Sequence, residues 1–524
     1  MSATAADATG GGSRSGIHPW VIAPVVAVAA FMEILDISVA NVALPHIAGD
    51  LSASQDESTW TLTSYLVTNA IVMPISGWLA ARFGRKRFFL TCIAGFTITS
   101  LLCGLAPSLA VLVVLRAFQG AAGGGLQPTG QAILNDAFPP EKRSMATAVY
   151  GIAAVVAPAI GPSIGGWITD NYEWRWVFLI NVPVGAALIF LIGFLVHTPN
   201  EEADPNASKG KVDGMGFMFV ALSLGCLQVV LDRGQEDDWF GDSMITMLTI
   251  TSAISFVLLV WWELRQKNPI VDLRLFANRN FAIPFVLMLM FGFMILGSTY
   301  LVPAYAQALM GYRATEAGEI IAPGGILLIL LFPIIGRIVD KVDLRLIVAL
   351  GVLVCSGALW WMTNWYLDVS FNVLALGRIM QAVGLALLFL PINALAFRDV
   401  PKGHSNYASA LVNLARNFGG SIGISLASTL VTRREQFHQN HIVEHLQALN
   451  PAYSGYVDQV GQATQITPGS MASLAQTYSM GTTQALLLSY LDAFKAFAVI
   501  FLCLLPLLFF LRPGPASSKG GGAA

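Results

Sequence analysis

The chain has 524 residues, of which 55% are hydrophobic and only 11% are charged, and its 29 basic side chains nearly balance its 31 acidic ones. Soluble domains carry about 25% charged residues, so the composition excludes an ordinary soluble protein. The near-neutral charge also gives no support for a nucleic-acid-binding protein. The class that remains is a membrane protein with apolar segments along most of its length.

Apolar stretches recur at the length of about 20 residues that one membrane-spanning helix needs. They predict an all-α polytopic membrane protein with fourteen spans, near 20–45, 59–81, 88–106, 109–136, 145–169, 175–197, 214–231, 243–264, 281–309, 317–339, 345–366, 370–397, 406–431 and 486–511. Residues 1–15 lack the basic region and apolar core of a signal peptide, so we expect the first span to be retained. The Gly-rich ends, 1–19 and 512–524, are expected to be disordered tails.

Basic residues are distributed unequally between alternate loops. One set of loops carries most of them: Arg82, Arg85, Lys86, Arg87, Lys142, Arg143, Lys209, Lys211, Arg265, Lys267, Arg274, Arg279, Lys341, Arg345, Arg398 and Lys402. The opposite set has only Arg175, Arg233, Arg313, Arg433 and Arg434. Because cytoplasmic loops carry an excess of Lys and Arg, the first set is predicted to be cytoplasmic. With an even number of spans, both termini lie on that side.

The connection between the last two predicted spans, residues 433–485, is long, polar and rich in glutamine. Connections of this length are usually functional or disordered, and the orientation places this one on the periplasmic side. His438, His441 and His445 within it have a spacing that a zinc site could use, but solvated helix faces are the better interpretation. The five cysteines lie in apolar segments without a CxxC pair, and we interpret them as packing residues. No metal and no cofactor are therefore expected.

Two halves of the chain resemble each other. Arg116 and Gln119 in the fourth span recur as Arg378 and Gln381 in the twelfth, and similar loop segments follow the second and tenth spans. The two pairs are separated by about the same distance, which indicates a duplicated six-helix unit. In transporters built from two repeats, the substrate site lies at the interface between them, near the bilayer midplane. The predicted division is a bundle at 20–197, a linker with an inserted two-helix hairpin at 198–280, and a bundle at 281–511.

Charged residues inside predicted spans are candidates for function, because a charge in the membrane is costly. Glu33 and Asp36 lie three residues apart in the first span and can face the same side of the helix. A carboxylate in apolar surroundings beside a cation can bind and release protons as access alternates. Asp36 is therefore predicted to carry the proton, with Arg116 as its partner and Glu33 as a second candidate. The alternative is a permanent Asp–Arg pair that only holds helices together.

The cytoplasmic turn after the second span contains four candidate gating residues: Gly77, Arg82, Gly84 and Arg85. Glycine permits close backbone approach, and the charges can form contacts that hold one state of a gate. Anchoring of the topology by positive charge is the alternative, and both can be true.

The fifth span is rich in residues that bend a helix and allow close packing. They are Pro158, Gly161, Pro162, Gly165 and Gly166. We predict a pliable helix at a moving interface between the halves. The alternative is a static, closely packed helix.

Several of these segments resemble motifs of the major facilitator superfamily. Residues 77–87 (GWLAARFGRKR) resemble its loop motif, with Ala81 where the family usually has aspartate, while Asp340 keeps that aspartate in the second half. The substitution at Ala81 weakens the expected gate contact in the first half. Residues 116–123 (RAFQGAAG) resemble the fourth-helix motif, which implies a role for Arg116 in proton coupling.

A narrower resemblance concerns the fourteen-span drug:proton antiporters. Residues 35–45 (LDISVANVALP) and 174–185 are similar to motifs of that family, and 161–166 to the fifth-helix motif of exporters. Residues 231–234 and 268–272 resemble the EmrB subfamily. The resemblance implies a major facilitator fold of two six-helix bundles with an inserted hairpin. It also implies an inner-membrane pump for hydrophobic toxic compounds that works with an EmrA-type periplasmic adaptor and a TolC-type outer-membrane channel.

The predicted mechanism is alternating access around a central cavity, with outside protons displacing the substrate by protonating Asp36. The predicted polar lining consists of Tyr65, Asn69, Gln119, Gln127 and Tyr300. No phosphate-binding GxxxxGK[ST] segment and no readable group of nucleophile, base and orienting residue occur, so neither a nucleotide-driven pump nor an enzyme is expected. Two alternatives stay open: a proton-independent facilitator, and a non-transporting membrane sensor or scaffold.

Overall fold

The computed structural model describes residues 19–195, 213–339, 341–401, 404–445, 451–467 and 470–511. In this part of the chain the regular secondary structure is entirely helical. The α-helices are α1 (Pro19–Asp50), α2 (Gln55–Phe83), α3 (Arg85–Gly104), α4 (Leu109–Gly123), α5 (Leu126–Ala137), α6 (Pro140–Asn171), α7 (Trp176–Leu179), α8 (Asn181–Leu195), α9 (Gly214–Arg233), α10 (Ser243–Glu263), α11 (Arg279–Met310), α12 (Ala314–Val339), α13 (Leu344–Met362), α14 (Phe371–Arg398), α15 (Ser405–His445), α16 (Pro451–Ala463) and α17 (Met471–Leu502). Three 3₁₀ helices are Trp239–Gly241, Leu273–Ala277 and Leu505–Phe510.

Within the described residues, 12 helical segments are long and apolar enough to cross a membrane, and the number is 13 if the bent α6 counts as one span. The all-α polytopic fold is therefore confirmed, and the span count agrees approximately with the fourteen predicted. The span predicted at 406–431 lies in α15, which is not among the apolar segments. It carries Asn413, Arg416 and Asn417 in its membrane half, and these polar side chains lower its apolarity.

The span predicted near 109–136 is two helices, because the chain breaks between α4 and α5 at Gly124 and Gly125. A Cβ atom on Gly124 would lie 2.8 Å from the carbonyl oxygen of Asn69 on α2. A Cβ atom on Gly125 would lie 2.8 Å from the ring of Phe88 on α3. The two glycines therefore allow the broken span to pass close to α2 and α3.

Helices α1 to α8 pack mainly on one another, with α1 against α6, α2 against α4, and α3 against α4 and α8. Helices α11 to α17 do the same, with α11 against α15, α13 against α14, and α12 against α14. Contacts between the two sets run along α6 and α12, α2 and α15, and α5 and α15. This packing agrees with two bundles that face each other, and the division at 20–197 and 281–511 remains a prediction.

Helices α9 and α10 pack together as a hairpin and contact both bundles. At the end of α9, Arg233 forms an ion pair with Asp56 at the start of α2, with a distance of 3.0 Å. In the second half of α9, the amide of Gln228 donates a 3.0 Å hydrogen bond to the hydroxyl of Ser421 on α15. The hairpin is thus attached where α2 and α15 meet.

The polar connection at 433–485 is largely helical in its described part. Helix α15 continues to His445, α16 spans Pro451–Ala463, and α17 begins at Met471, well before the start predicted near 486. The sequence marks this segment as a loop because its composition is polar. The structure shows that polar composition there reflects helices that extend beyond the apolar spans.

An ion pair and a histidine–carboxylate contact hold the polar extension of α15 against α17. Arg434 Nε donates to Asp492 Oδ2 at 2.6 Å, and His438 Nε2 lies 2.8 Å from the same oxygen. The ring of His441 stacks on that of Phe437, with 4.8 Å between centroids. The first two of the predicted histidine positions therefore have neighbours on these helices that account for them.

Helices α11 and α15 approach each other closely because glycines face backbone across their interface. Gly419 of α15 lies against the carbonyl oxygen of Leu289, and Gly292 of α11 lies against the carbonyl oxygen of Arg416. A side-chain carbon at either position would overlap that oxygen. Since protein interiors are packed as densely as crystals of small organic molecules, these two positions have no room for a larger residue.

Candidate functional site

The carboxylate of Asp36 lies inside the first bundle and is 1% exposed. Its Oδ2 accepts a hydrogen bond from Nη1 of Arg116 on α4, and this ion pair is 2.5 Å long. Its Oδ1 accepts hydrogen bonds from the side-chain amides of Gln119, at 3.1 Å, and Asn181, at 2.7 Å. A buried ion pair needs such additional hydrogen bonds because removing two charges from water is costly. The structure thus forms the Asp–Arg pair that the sequence predicts.

The guanidinium of Arg116 is enclosed by neutral groups on its other sides. Its Nε donates to the carbonyl oxygen of Thr61 at 3.2 Å. The rings of Tyr65 and Phe178 lie 4.3 and 5.4 Å from its central carbon. Within the described residues Asp36 is the one carboxylate in ion-pair distance of this group. A proton on Asp36 would therefore leave a buried guanidinium without a counter-charge.

Glu33 lies one helical turn before Asp36 and is 0% exposed. Its Oε1 accepts a 3.0 Å hydrogen bond from Nδ2 of Asn69 on α2. Its Oε2 has no hydrogen-bond partner in the described part of the protein. The side-chain amide of Gln127 on α5 also lies beside this carboxyl group. Two buried carboxylates thus lie three residues apart on α1.

A second group of buried polar side chains joins the two bundles. Gln131 of α5 donates through Nε2 to Oδ1 of Asn393 on α14, at 2.6 Å, and accepts at Oε1 from Asn413 of α15, also at 2.6 Å. We call these three residues the amide bridge. One turn away, Arg416 of α15 donates to Oε1 of Gln127 on α5. The bridge closes the space between the bundles toward the C-terminal end of α5.

The predicted gate residues lie beyond the amide bridge on the same side. Arg85 forms an ion pair with Asp136 of α5, and its Nη2 donates to the hydroxyl of Ser405 on α15 at 3.3 Å. Gly77 of α2 faces the backbone of Tyr407, where a Cβ atom would lie 3.0 Å from the Tyr407 Cα. These contacts connect the first bundle to the beginning of α15.

The other gate residues shape the turn itself. Gly84 ends α2 with φ 88° and ψ 136°, a backbone conformation that favours glycine. The guanidinium of Arg82 lies 5.2 Å from the ring centroid of Trp78. Asp340 lies outside the described residues. Asp136 of α5 supplies the acidic partner of Arg85 in the first bundle.

The second bundle repeats the arginine of the first but surrounds it with neutral groups. Nη1 of Arg378 donates to Oε1 of Gln381, three residues further along α14, at 2.5 Å. Its remaining described partners are the hydroxyls of Ser298, at 3.0 Å, and Thr299, at 3.1 Å, both on α11. The internal repeat therefore preserves the Arg–Gln pair and not the carboxylate.

Comparison with known proteins identifies the family. The sequence description of the Major Facilitator Superfamily matches residues 26–424. The chain belongs to the Major Facilitator Superfamily. The multidrug export protein EmrB of Haemophilus influenzae is 37% identical over 489 residues, which cover 93% of this chain and 94% of that protein. The fatty acid resistance protein FarB of Neisseria gonorrhoeae is 36% identical over 501 residues, 95% of this chain and 96% of that protein.

Among solved structures, the human organic anion transporter MFSD10 shares the fold of this major facilitator protein, with a TM-score of 0.57 at 14% identity over 94% of this chain and 99% of that chain. The resemblance predicted from the motifs is confirmed by the EmrB match, and the predicted fold by the family and the structural match. The protein is therefore a multi-pass membrane transporter of the major facilitator type.

In this major facilitator protein, α6 bends by 46° just after Pro158. Gly161 lies directly against the side chain of Ser38 on α1. On the opposite side, a Cβ atom on Gly166 would lie 3.2 Å from Oγ1 of Thr315 on α12. The motif thus gives a bent helix packed between α1, which carries Asp36, and the second bundle.

Four of the five predicted lining residues are buried in the site: Tyr65, Asn69, Gln119 and Gln127. Tyr300, on α11, is 40% exposed and stands apart from this buried group. The part that each of the five takes in substrate binding stays a prediction.

The sequence analysis missed the three residues of the amide bridge, and it also missed Asn181, Arg416 and Asp136. Asn181 belongs to a motif segment at 174–185 and gave a signal only as part of that motif. Arg416 is an ionisable residue inside a predicted span, so the rule that selected Asp36 also applies to it. Asp136 gave no signal of its own, because its partner lies in a different loop.

Replacing Arg85 with glutamine should increase opening toward the side of the amide bridge. Its ion pair is partly exposed, and such pairs contribute about 0.2–1 kcal/mol, so we expect at most about a fivefold change in the closed fraction. A cysteine introduced at Ser409, a buried position one turn before Asn413, should be labelled correspondingly faster by a thiol reagent. The control is Arg175→Gln, which removes the ion pair between Arg175 and Asp50 at the C-terminal end of α1. An unchanged labelling rate in Arg85→Gln would contradict a gating role.

Proposed function

We propose that this transporter exports hydrophobic toxic compounds and drugs in exchange for protons that enter from outside. The observation that supports this most is the buried Asp36–Arg116 pair, since a charge pair inside the membrane is costly and is a candidate for function. Helix α1, which carries Asp36, packs on the bent α6, and α6 packs on α12 of the other bundle. Protonation of one carboxylate can therefore act on the contact between the bundles. Relatives named for multidrug export and fatty acid resistance agree with this function.

The proposed cycle starts with the cytoplasmic side open and Asp36 deprotonated. Substrate enters between the bundles, and formation of the amide bridge and of the Arg85 ion pair then closes that side. A proton from outside binds Asp36, breaks the pair with Arg116 and favours release of the substrate outward. Coupling requires that proton and substrate favour different states, because a ligand shifts an equilibrium only by its differential affinity.

A gradient experiment separates this proposal from its alternatives. Purified protein is placed in liposomes with an imposed pH gradient, and the movement of a hydrophobic dye is followed with and without nigericin, which collapses the gradient. Movement that requires the gradient supports antiport. Dye movement that ignores the gradient identifies a facilitator, and the absence of any protein-dependent movement identifies a sensor or scaffold.

We further propose that the protein lies in a bacterial inner membrane with both termini in the cytoplasm. The partners are an EmrA-type periplasmic adaptor and a TolC-type outer-membrane channel. The unequal distribution of Lys and Arg supports the orientation. Helix α16 and the adjoining ends of α15 and α17 extend beyond the apolar spans and expose Tyr456, Met471 and Tyr478. These exposed apolar side chains give the adaptor a surface to contact.

Replacing residues 451–463 with a short Gly/Ser linker should abolish copurification of the adaptor. Gradient-driven dye movement in liposomes should be unchanged, because the deleted helix lies outside the apolar spans. Phe240→Ser, at the outer end of the α9–α10 hairpin, is the matched surface control, and its adaptor recovery should equal that of the wild type. Equal recovery after the deletion would exclude this segment as the adaptor contact.

A further inference from the structure

We propose that Arg378 binds the headgroup of an amphipathic organic anion, a carboxylate or phenolate with an apolar tail. This inference rests on the proposed export function and specifies a substrate class for it. The residue is 7% exposed and lies about two turns after the start of α14, within the second bundle.

The balance of buried charges supports an anionic ligand. Among the described residues of the bundle helices α1, α4, α14 and α15, three guanidinium groups and two carboxylates are buried: Arg116, Arg378 and Arg416, with Glu33 and Asp36. Asp36 neutralises Arg116, and Arg416 lies close enough to Glu33 to interact with its charge. Arg378 has only neutral hydrogen-bond partners within the described part of the chain. An arginine cannot lose its proton in a protein, so one positive charge here remains without a protein counter-charge.

A purely structural role does not explain this charge. The hydroxyls of Ser298 and Thr299 are neutral, and a neutral amide could join them to α14 with a smaller desolvation cost. A buried charge without an opposite charge is unfavourable, for the same reason that the loss of one member of a buried ion pair is strongly destabilising. A residue that is retained at this cost is a functional candidate, and the partner it lacks is an anion.

The surroundings of Arg378 fit an anion with an apolar tail. A small cavity lies beside the guanidinium, between α14, α11 and α12 of the second bundle and α6 of the first. Its apolar lining includes Val155, Ile295, Ile321, Leu328 and Leu385. In the present state its volume is about 10 Å³, enough for one water molecule.

A larger ligand therefore needs α6 and α12 to separate. These helices belong to opposite bundles, so alternating access is the motion that would enlarge this cavity. Gly324 and Gly325 of α12 also face it. A Cβ atom on Gly324 would lie 3.1 Å from the carbonyl oxygen of Arg378, so glycine there lets α12 pack closely on α14 beside the cavity.

The test is equilibrium binding of 11-(dansylamino)undecanoate and of its methyl ester to the purified full-length protein. The two probes share the tail and the fluorophore and differ in the charge of one end. Wild type should bind the carboxylate at least about tenfold more tightly than the ester, which corresponds to about 1.4 kcal/mol. Arg378→Gln should lose this preference and bind the ester as wild type does, while Arg378→Lys should keep most of it. Arg337→Gln, an exposed arginine on α12, is the control.

Two results would overturn the inference. One is wild-type protein that binds both probes equally or binds neither. The other is Arg378→Gln protein that keeps the preference or loses both probes to the same extent. If Arg378→Gln does not fold, the pH dependence of probe binding to wild-type protein tests the inference. The preference for the carboxylate probe should disappear at low pH, where that carboxylate is protonated, while binding of the ester persists. Gradient-independent dye transport would refute the proposed antiport and leave this binding result standing.

Discussion

Asp36→Asn should abolish gradient-driven export. Asparagine keeps an oxygen that can accept hydrogen bonds from Gln119 and Asn181, but it cannot take up a proton. Its amide group also faces the guanidinium of Arg116, so that two hydrogen-bond donors meet where a carboxylate oxygen accepted before. The buried guanidinium then lacks its counter-charge, which costs about 3–5 kcal/mol. We expect loss of transport together with a lower melting temperature. Both are measured on purified protein, transport in liposomes with an imposed pH gradient.

Two variants separate coupling from stability. Asp36→Asn combined with Arg116→Gln removes the unpaired charge, so it should recover much of the thermal stability and none of the gradient-driven transport. Asp50→Asn, at the outer end of the same helix, is the carboxylate control and should transport as wild type does. Gradient-driven export by Asp36→Asn at the wild-type rate would show that another group, with Glu33 the next candidate, carries the proton.

Gly419→Val should prevent correct packing of the second bundle. The new side chain would overlap the carbonyl oxygen of Leu289, so α15 must move away from α11 along their closest contact. Overpacking in a well-packed core costs about 1–3 kcal/mol when side chains can adjust, and more when backbone must move. Here the obstacle is backbone. We therefore expect little folded protein after purification and a melting temperature well below that of the wild type.

Gly357→Val is the matched control, because a Cβ atom on Gly357 meets nothing within 4 Å. Both variants place the same side chain in a helix of the same bundle, so helix propensity affects them alike. Size-exclusion chromatography and thermal unfolding in detergent should show a large effect only at Gly419. Equal behaviour of the two variants would mean that the α11–α15 contact adapts to added volume.

The sequence predicts the spans well because each must be long and apolar, and both properties can be read locally. It predicts the end of α15 and the start of α17 poorly for the same reason. In the structure, Arg434 and His438 of the α15 extension meet Asp492 of α17 across the helix pair. Such a contact joins positions that are distant along the chain, so no local window of the sequence contains it.

In the candidate site, too, some residues can be predicted from the local sequence and their partners cannot. Asp36 and Arg116 are predictable individually, because a charge inside a span is rare enough to be informative. The partners that complete the site come from other helices: Asn181 on α8 for the carboxylate, and Asp136 on α5 for Arg85. The repeat also does not tell whether Arg378 has a carboxylate partner. It preserves the arginine and its neighbouring glutamine, whereas the carboxylate of the first half lies on a different helix.

The amide bridge has a consequence for how an energised membrane acts on this protein. Gln131, Asn393 and Asn413 exchange hydrogen bonds between the bundles, and none of them carries a net charge. Moving one elementary charge across the membrane potential changes the energy by about 2.3 kcal/mol per 100 mV, whereas separating neutral amides moves no charge. Breaking or forming this part of the closure is therefore insensitive to voltage. The electrical part of the proton-motive force can then act only through steps that move a proton, a charged side chain or a charged substrate.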